Sequence, residues 1–351
     1  MVLYRRCNWG DRAALNECCA DVFVMLGNPI RPGNQAVAII QHGNLAAARV
    51  AILMCTKNGA AFIDDQLDSI AKQTYENWIL IVSDDGSDDE TITKLKTFAK
   101  FHHQKVTIKK GPGKGVCRNF LSLANDSDVD ADYVAFCDQD DIWKADKLRR
   151  ALACLASGPA DVPAVYCGRT ELMSKDGHCY GLSPLFSRAP AFQNALVQNL
   201  GGGNTMVFNR AAKKILEEAA AIAVALHDWW VYQLVSGAGG IVLYDPQPMV
   251  KYRQHPDNVI GSNIGWHQRL VRLRMMLRGR FRDWNDTNIA ALQGLPTHLL
   301  LPKNRAILEL FADARSGSLP KRLYSLKRSG VYRQTLLGNL GLVAAAVLRR
   351  L

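Results

Sequence analysis

The run Val50-Ala51-Ile52-Leu53-Met54-Cys55 has no polar residue and stops at Thr56-Lys57-Asn58-Gly59. A short, unbroken apolar run closed by turn residues reads as a strand buried on both faces, not as one that alternates between core and water. The pattern recurs. Trp78 to Val82 stops at Ser83-Asp84-Asp85-Gly86-Ser87, and Tyr133 to Cys137 stops at Asp138-Gln139-Asp140-Asp141. Helical stretches fall between these strands, over Phe62 to Gln73 (Ile63, Leu67 and Ile70 on one side), Glu90 to Phe101 and residues 116–124, with a short strand at Val106 to Ile108. Strand–helix alternation with short connections predicts an α/β fold with a mostly parallel, Rossmann-like sheet and helices on both faces. In such sheets ligands bind outside the carboxyl ends of the strands, where the polar clusters lie.

Beyond this segment the sequence is mixed. It predicts a turn at Gly201-Gly202-Gly203, a strand from Thr205 to Asn209, a helix from Ala211 to Ala223 and a strand from Ile241 to Tyr244. Residues 1–49 carry no recognisable chemistry. The chain therefore divides into an N-terminal extension (1–49), an α/β unit (50–262) and a basic helical region (263–351). With 351 residues and 48% apolar content it can bury a large core without covalent staples. Its formal charge of +11 is unevenly spread: residues 251–351 hold 18 of the 43 Lys and Arg but 5 of the 32 Asp and Glu. The nine cysteines form no short-spaced metal pattern, which suits reduced thiols in a cytosolic protein. The first residues lack the shape of a signal peptide, and no run reaches the ~18–20 apolar residues of a membrane span.

Five constellations could carry chemistry. Asp138 and Asp140, at i and i+2 directly after a buried strand, can aim at one hard cation, and oxygen ligands favour Mg²⁺ or Mn²⁺. Asp141 beside them could instead cap a helix beginning near Ile142. Asp84-Asp85-Gly86-Ser87 ends another strand, where Ser87 or Asp88 could equally cap the next helix. Lys110-Gly111-Pro112-Gly113-Lys114-Gly115 lacks the phosphate-loop pattern of an ATPase, although a glycine-rich turn before a helix can approach phosphates through its N–H groups. Asp228, between His227 and Trp229-Trp230, suits a partly desolvated general base; the competing reading is a helix start with packed tryptophans. His255, within Tyr252-Arg253-Gln254-His255-Pro256-Asp257-Asn258, is either a weak ligand for metal or phosphate or a hydrogen-bonded surface residue in a polar loop.

Taken together, Thr56-Lys57-Asn58-Gly59, Asp84-Asp85-Gly86-Ser87, Asp138-Gln139-Asp140-Asp141-Ile142-Trp143 and His227-Asp228-Trp229-Trp230 resemble glycosyltransferase family 2, the inverting sugar-nucleotide transferases of GT-A fold. The forms of the last two, with Tyr252-Arg253-Gln254-His255 and Asn258, resemble the rhamnosyltransferase-like branch, which uses dTDP-L-rhamnose to build surface polysaccharides. The resemblance implies a donor-nucleotide site at Thr56, Asn58, Asp84, Asp85 and Asn119, a divalent cation on Asp138 and Asp140, and Asp228 as general base. It places Gly202, Gly203, Asn204 and Trp229 on the acceptor side. Lys57 stands where the family often has an aromatic, and His227 replaces the more widespread acid. The expected partners are a dTDP- or UDP-sugar donor and a glycan or lipid-linked glycan acceptor. A UDP-hexose transferase, a nucleotidyltransferase and a nucleotide- or glycan-binding module without turnover are the alternatives. Three carboxylates in ligand and base positions speak against the last.

The basic end predicts two arrangements. Trp266 to Arg282 and Lys321 to Arg350 set Arg and Lys around apolar positions, as in helices that lie in the interface of an anionic membrane. That would put a cytoplasmic enzyme peripherally on the inner membrane. The other arrangement is a solvated helical layer packed on the catalytic body. No nucleic-acid partner is expected, because base-stacking aromatics are sparse and no binding motif is present.

Overall fold

A computed structural model describes residue 45 and residues 47–219, 223–255 and 280–351. The readings attached to residues 1–44, to Asp257 and Asn258 and to Trp266 through Arg278 fall outside the described residues. The apolar run that opens the α/β unit is strand β1 (Val50–Thr56), and it lies inside the sheet. It pairs in parallel with β2 (Trp78–Asp84) on one side and with β4 (Tyr133–Cys137) on the other, while β3 (Val106–Lys110) adds in parallel to β2. Successive β1 residues feed opposite cores. Ala51, Leu53 and Cys55 join one, and Val50, Ile52 and Met54 join the other, which accounts for the absence of a polar face.

The crossover helices share out the two faces. Helix α1 (Ile63–Ala71) buries Ile63, Leu67 and Ile70 in the same core as Leu95 and Phe98 of α2 (Thr91–Phe101). Helix α3 (Val116–Ala124) buries Phe120, Leu121 and Leu123 on the other face. Beyond β4 the sheet becomes mixed. A two-residue strand β5 (Ile142–Trp143) precedes helix α4 (Lys147–Leu155), long strand β6 (Ala164–Ser174), its hairpin partner β7 (Cys179–Leu182) and short helix α5 (Phe192–Ala195). Strand β8 (Val207–Asn209), helix α6 (Arg210–Glu218), helix α7 (His227–Gly237) and strand β9 (Ile241–Gln254) follow. The order across the sheet is β3-β2-β1-β4-β8-β6-β9-β5, with β8 antiparallel to both β4 and β6, and β9 parallel to β6.

Two local expectations change. Ile142 does not start a helix; Ile142 and Trp143 pair with Lys251 and Val250, and α4 begins at Lys147. Strand β9 does not end at Tyr244. It runs on through Tyr252, Arg253 and Gln254, which pair with Leu172, Met173 and Ser174, so the first three residues of the presumed polar loop are strand. Polar residues at a sheet's end can serve a site on one face while their backbone stays in the ladder, and sequence polarity alone does not separate that from a loop.

The C-terminal residues form helices α8 (Arg280–Gln293), α9 (Pro302–Asp313), α10 (Leu319–Ser329) and α11 (Leu336–Val347). Leu308, Phe311, Leu326, Leu342, Ala345 and Ala346 join the same core as Trp230 and Val231 of α7. Asn304 at the start of α9 donates to the carbonyls of Ser236 and Gly237, capping the end of α7. Among the described residues, no helix is long and apolar enough to cross a membrane.

Candidate active site

The exits of β1, β2 and β4 lie side by side, because Thr56 is in register with Asp84 and Met54 with Cys137. Asp84 is turned inward. Its carboxylate accepts from the Thr56 hydroxyl at 2.8 Å, the Ser87 hydroxyl at 2.6 Å, Ser87 N at 2.8 Å and Gly86 N at 3.0 Å. Burial pushes this carboxyl up, but those four donors outweigh it and hold the group below the usual carboxylate range. Asp85 is more exposed and accepts from Gly113 N at 2.8 Å and Gly115 N at 3.0 Å. One carboxylate thus shapes its own turn, and the other pins the glycine-rich loop after β3. Asn119 is buried and braces the β2 exit through both the hydroxyl and the carbonyl of Ser83. Asn58 adopts a left-handed φ of 49° and accepts from Asp88 N at 3.0 Å, while Lys57 donates to the carbonyl of Gly86. Neither Ser87 nor Asp88 caps the following helix: its N-cap position is Glu90, whose side chain makes no cap bond, and Asp89 accepts from Thr91 N at 3.0 Å.

Between β4 and β5 the chain turns through the acidic triad. Carboxylate oxygens of Asp138, Asp140 and Asp141 all lie within 4.8 Å of one another. Asp141 is fully buried and points into the protein, accepting from Asn204 Nδ2 at 2.6 Å and Arg253 N at 3.0 Å. It is a support for the turn and does not cap a helix. Asp140 meets His255, with Nε2 and Oδ2 2.6 Å apart, and the His255 ring packs against Phe62 at 5.2 Å. Burial, followed by the charges of Asp140 and Asp228, drives the Asp138 carboxyl well above the usual range. Negative charges crowded at a partly open turn are the environment that a divalent cation relieves. The donor set of carboxylate oxygens with one imidazole fits Mg²⁺ or Mn²⁺.

Asp228 occupies the first turn of α7. It accepts from Trp229 N at 2.7 Å and, across the sheet's end, from Gly203 N at 3.2 Å. Gly203 opens a single 3-10 turn (Gly203–Thr205), and a Cβ built there would stand 2.5 Å from Nε2 of His227. His227 is buried, stacked on Phe120 at 4.2 Å, and burial lowers its basicity although the Asp228 charge opposes this. Trp229 donates through Nε1 to the carbonyl of Ala195 at 2.6 Å, with Phe281 and Trp284 of α8 against its ring. Gly202 leads into the turn. Asn204 is turned away from the opening, towards Asp141.

Three residues in this region have roles that the sequence did not assign. Arg253 is buried on β9 and donates through Nε to the carbonyl of Asp140 at 2.9 Å, through Nη1 to that of Lys175 at 2.8 Å and through Nη2 to Asp65 at 2.7 Å, with its guanidinium over the Phe62 ring. Lys147 is fully buried under the acidic turn, its Nζ 3.5 Å from the centre of the Trp143 ring. Gln139 bonds both the N–H and the carbonyl of Lys57, tying the β4 exit to the β1 exit. Arg253 could have been suspected from its proximity to His255. Nothing in its local sequence distinguishes Lys147 from a surface lysine.

Residues 51–216 match the family model "Glycosyl transferase family 2". The dTDP-rhamnosyl transferase RfbG of Shigella flexneri is 31% identical over 244 residues, a span covering 65% of this chain and 81% of that relative. The chain belongs to glycosyltransferase family 2. As a member of that family it is an enzyme, a glycosyltransferase, and its α/β sheet with flanking helices is the expected GT-A arrangement. The family match ends before α7, so Asp228 and the C-terminal helices lie outside it. Two solved structures overlap much of this glycosyltransferase in outline. Residues 1–349 of Staphylococcus aureus TarS, in complex with UDP-GlcNAc, have a TM-score of 0.48 at 14% identity, covering 81% of this chain and 93% of that one. The mannosyltransferase PcManGT from Pyrobaculum calidifontis, in complex with GDP-Man and Mn²⁺, has a TM-score of 0.48 at 19% identity, covering 86% and 87%.

Proposed function

We propose that this family 2 enzyme transfers L-rhamnose from dTDP-L-rhamnose, with inversion, to a hydroxyl of a growing, lipid-linked surface polysaccharide. It would do so as a cytoplasmic, peripherally membrane-attached protein. The observation that carries the reading is the acidic turn, with Asp138, Asp140 and Asp141 clustered within 4.8 Å, lying near enough to Asp228 for that charge to bear on Asp138. The likeness to a dTDP-rhamnosyl transferase supports the choice of donor.

In this reading residues 50–262 form the catalytic unit. Asp138 and Asp140 would hold Mg²⁺ or Mn²⁺, with His255 on Asp140 as a further ligand or as the group that orients it, and a cation bound there would supply positive charge to the leaving diphosphate. Thr56, Asn58, Asp84, Asp85 and Asn119 shape the cleft for the base and ribose. Asp228 accepts the proton of the acceptor hydroxyl as its oxygen bonds the anomeric carbon and the bond from that carbon to the diphosphate breaks on the opposite side. The N–H groups of Gly203 and Trp229 hold the carboxylate in place; Gly202, Gly203 and Trp229 form the acceptor side, and Asn204, turned inward, braces it through Asp141. General-base assistance of this kind contributes about 10²–10⁴-fold.

The test compares dTDP-L-rhamnose with UDP-hexoses, each with Mn²⁺, by thermal shift and by donor turnover. Stabilisation and turnover with the dTDP-sugar are expected, and a preference for a UDP-hexose would replace the donor assignment. Asp228→Asn is expected to bind donor as the wild type does and to lose transfer by about two orders of magnitude or more. Near-normal turnover in that variant would remove Asp228 as the base.

A further inference from the structure

The basic C-terminal region does not behave as one unit. Helices α8 and α9 face the catalytic body: Leu308 and Phe311 are buried, and Asn304 caps α7. Helix α11 differs. Only Leu342, Ala345 and Ala346 of its residues are buried, while Leu336, Leu337, Leu340, Val343, Val347 and Leu348 along the same stretch are 44–79% exposed. An apolar strip of this extent on a folded protein marks a contact surface. The charge along this part of the chain is of one sign: residues 319–351 contain seven Lys and Arg, of which Arg322 is buried and Lys321 pairs with Asp313, and no Asp or Glu. Arg333 precedes the helix, exposed Arg349 and Arg350 follow it, and exposed Lys327 and Arg328 end α10 beside it.

We infer that the outward face of α11 docks on an anionic lipid bilayer. Apolar side chains ringed by cations complement a surface with a hydrocarbon interior and negatively charged headgroups. At 12 residues the helix is about 18 Å long, too short to cross a bilayer, so it lies in the interface plane. Its root is fixed to the acceptor side of the site. Asn194 donates to the carbonyl of Tyr332 at 2.9 Å, Arg333 to that of Val197 at 2.8 Å, and Gln334 N–H to the side chain of Gln198 at 2.9 Å. Ala195, in the same short segment, accepts the indole N–H of Trp229. The docked face is thereby tied to the segment that holds Trp229 behind the Gly201-Gly202-Gly203 turn, so an acceptor anchored in that bilayer would approach the site by way of exposed Gly202. This placement rests on the lipid-linked acceptor proposed above; the docking itself does not.

The full chain is floated with phosphatidylglycerol–phosphatidylcholine vesicles and with phosphatidylcholine vesicles alone, without donor or acceptor. Binding to the anionic vesicles is expected, weaker by about tenfold on phosphatidylcholine alone and in the double variant Leu337→Glu/Leu340→Glu. Both positions are exposed, so the variant should melt as the wild type does, and its donor hydrolysis without vesicles should be unchanged. Failure of the wild type to float, or equal flotation of the variant, overturns the docking. So does a dimer in light scattering that the variant dissolves without any vesicle binding, which would assign the face to a second copy. Transfer to an acceptor embedded in vesicles should fall in the variant while transfer to a water-soluble acceptor does not. Equal losses on both acceptors would overturn the acceptor-side placement while leaving vesicle binding as a separate result.

Discussion

Arg253 touches the acidic turn at two points. Its backbone N–H reaches the Asp141 carboxylate, and its guanidinium reaches the Asp140 carbonyl while pairing with Asp65 of α1. Asp65 is 58% exposed, so the ion pair itself contributes little; removing the buried guanidinium strands the carbonyls of Asp140 and Lys175, at about 1–3 kcal/mol for each buried group left unpaired. Arg253→Met is accordingly expected to lower the melting temperature. Arg253→Lys, which keeps the charge but not the planar fork, should recover stability while weakening Mn²⁺ binding in the presence of dTDP. Calorimetric titration of both variants checks this, and unchanged Mn²⁺ affinity in both would show that the turn holds its shape alone. Lys147 is the opposite kind of residue, a buried ammonium whose burial lowers its pKa to about 7 against the opposing charges of Cys137 and Asp141, with the Trp143 ring 3.5 Å from its Nζ. Between pH 7 and the unfolded lysine value near ~10.4 the unfolded chain holds the proton and the folded one does not, so this residue makes stability rise with pH. Below pH 7 its contribution stops changing. Lys147→Met should lack that rise, a difference of up to about 1.4 kcal/mol per pH unit, measurable by denaturant melts at pH 7 and pH 9. The contacts of Arg253 could not be read from sequence, since its partners lie on α1, in the acidic turn and in the hairpin before β7, far along the chain; the burial of Lys147 is set by the core it enters and not by its neighbours in sequence.

At the scale of elements, periodicity located most of what surrounds the site. Runs without polar residues marked β1, β2 and β4, and each gave its exit to a polar cluster, because a strand buried on both faces can change composition only where it leaves the sheet. What pattern could not locate were elements whose backbone pairing is set by a distant partner. The two residues of β5 are a strand only because Lys251 and Val250 lie opposite, and β9 continues past Tyr244 only because β6 does. The turn Gly203–Thr205 shows the same dependence. It is held against α7 by the bond from Gly203 to Asp228, and its lack of a side chain leaves room for His227. Gly203→Ala forces a Cβ to within 2.5 Å of the imidazole, and overpacking of this sort costs about 1–3 kcal/mol. The expected result is a lower melting temperature together with a fall in turnover larger than any change in donor affinity. A variant with reduced stability but intact turnover would separate the turn from the base.

The whole molecule divides its charges by location. The acidic groups converge at the strand exits, and the C-terminal helices supply cations at the opposite extreme of the sequence, so the net +11 averages two surfaces with different tasks. The sequence also left open whether the basic end is a packed layer or a membrane contact, and the described helices divide along that line: α8 and α9 pack against the body, while α11 keeps an apolar face outward. The bonds that root α11 have a consequence for the order of assembly. Asn194 meets Tyr332, and Gln198 meets Gln334, across separations of 138 and 136 residues. The β1 to β4 half of the sheet can close from neighbouring segments as they emerge from the ribosome, since domains fold as their contacts become available. The wall carrying Trp229 gains these bonds only once residues 332–334 are present. On the function proposed above, a nascent chain is expected to form the sheet that would take the donor before the side that would take the acceptor is complete.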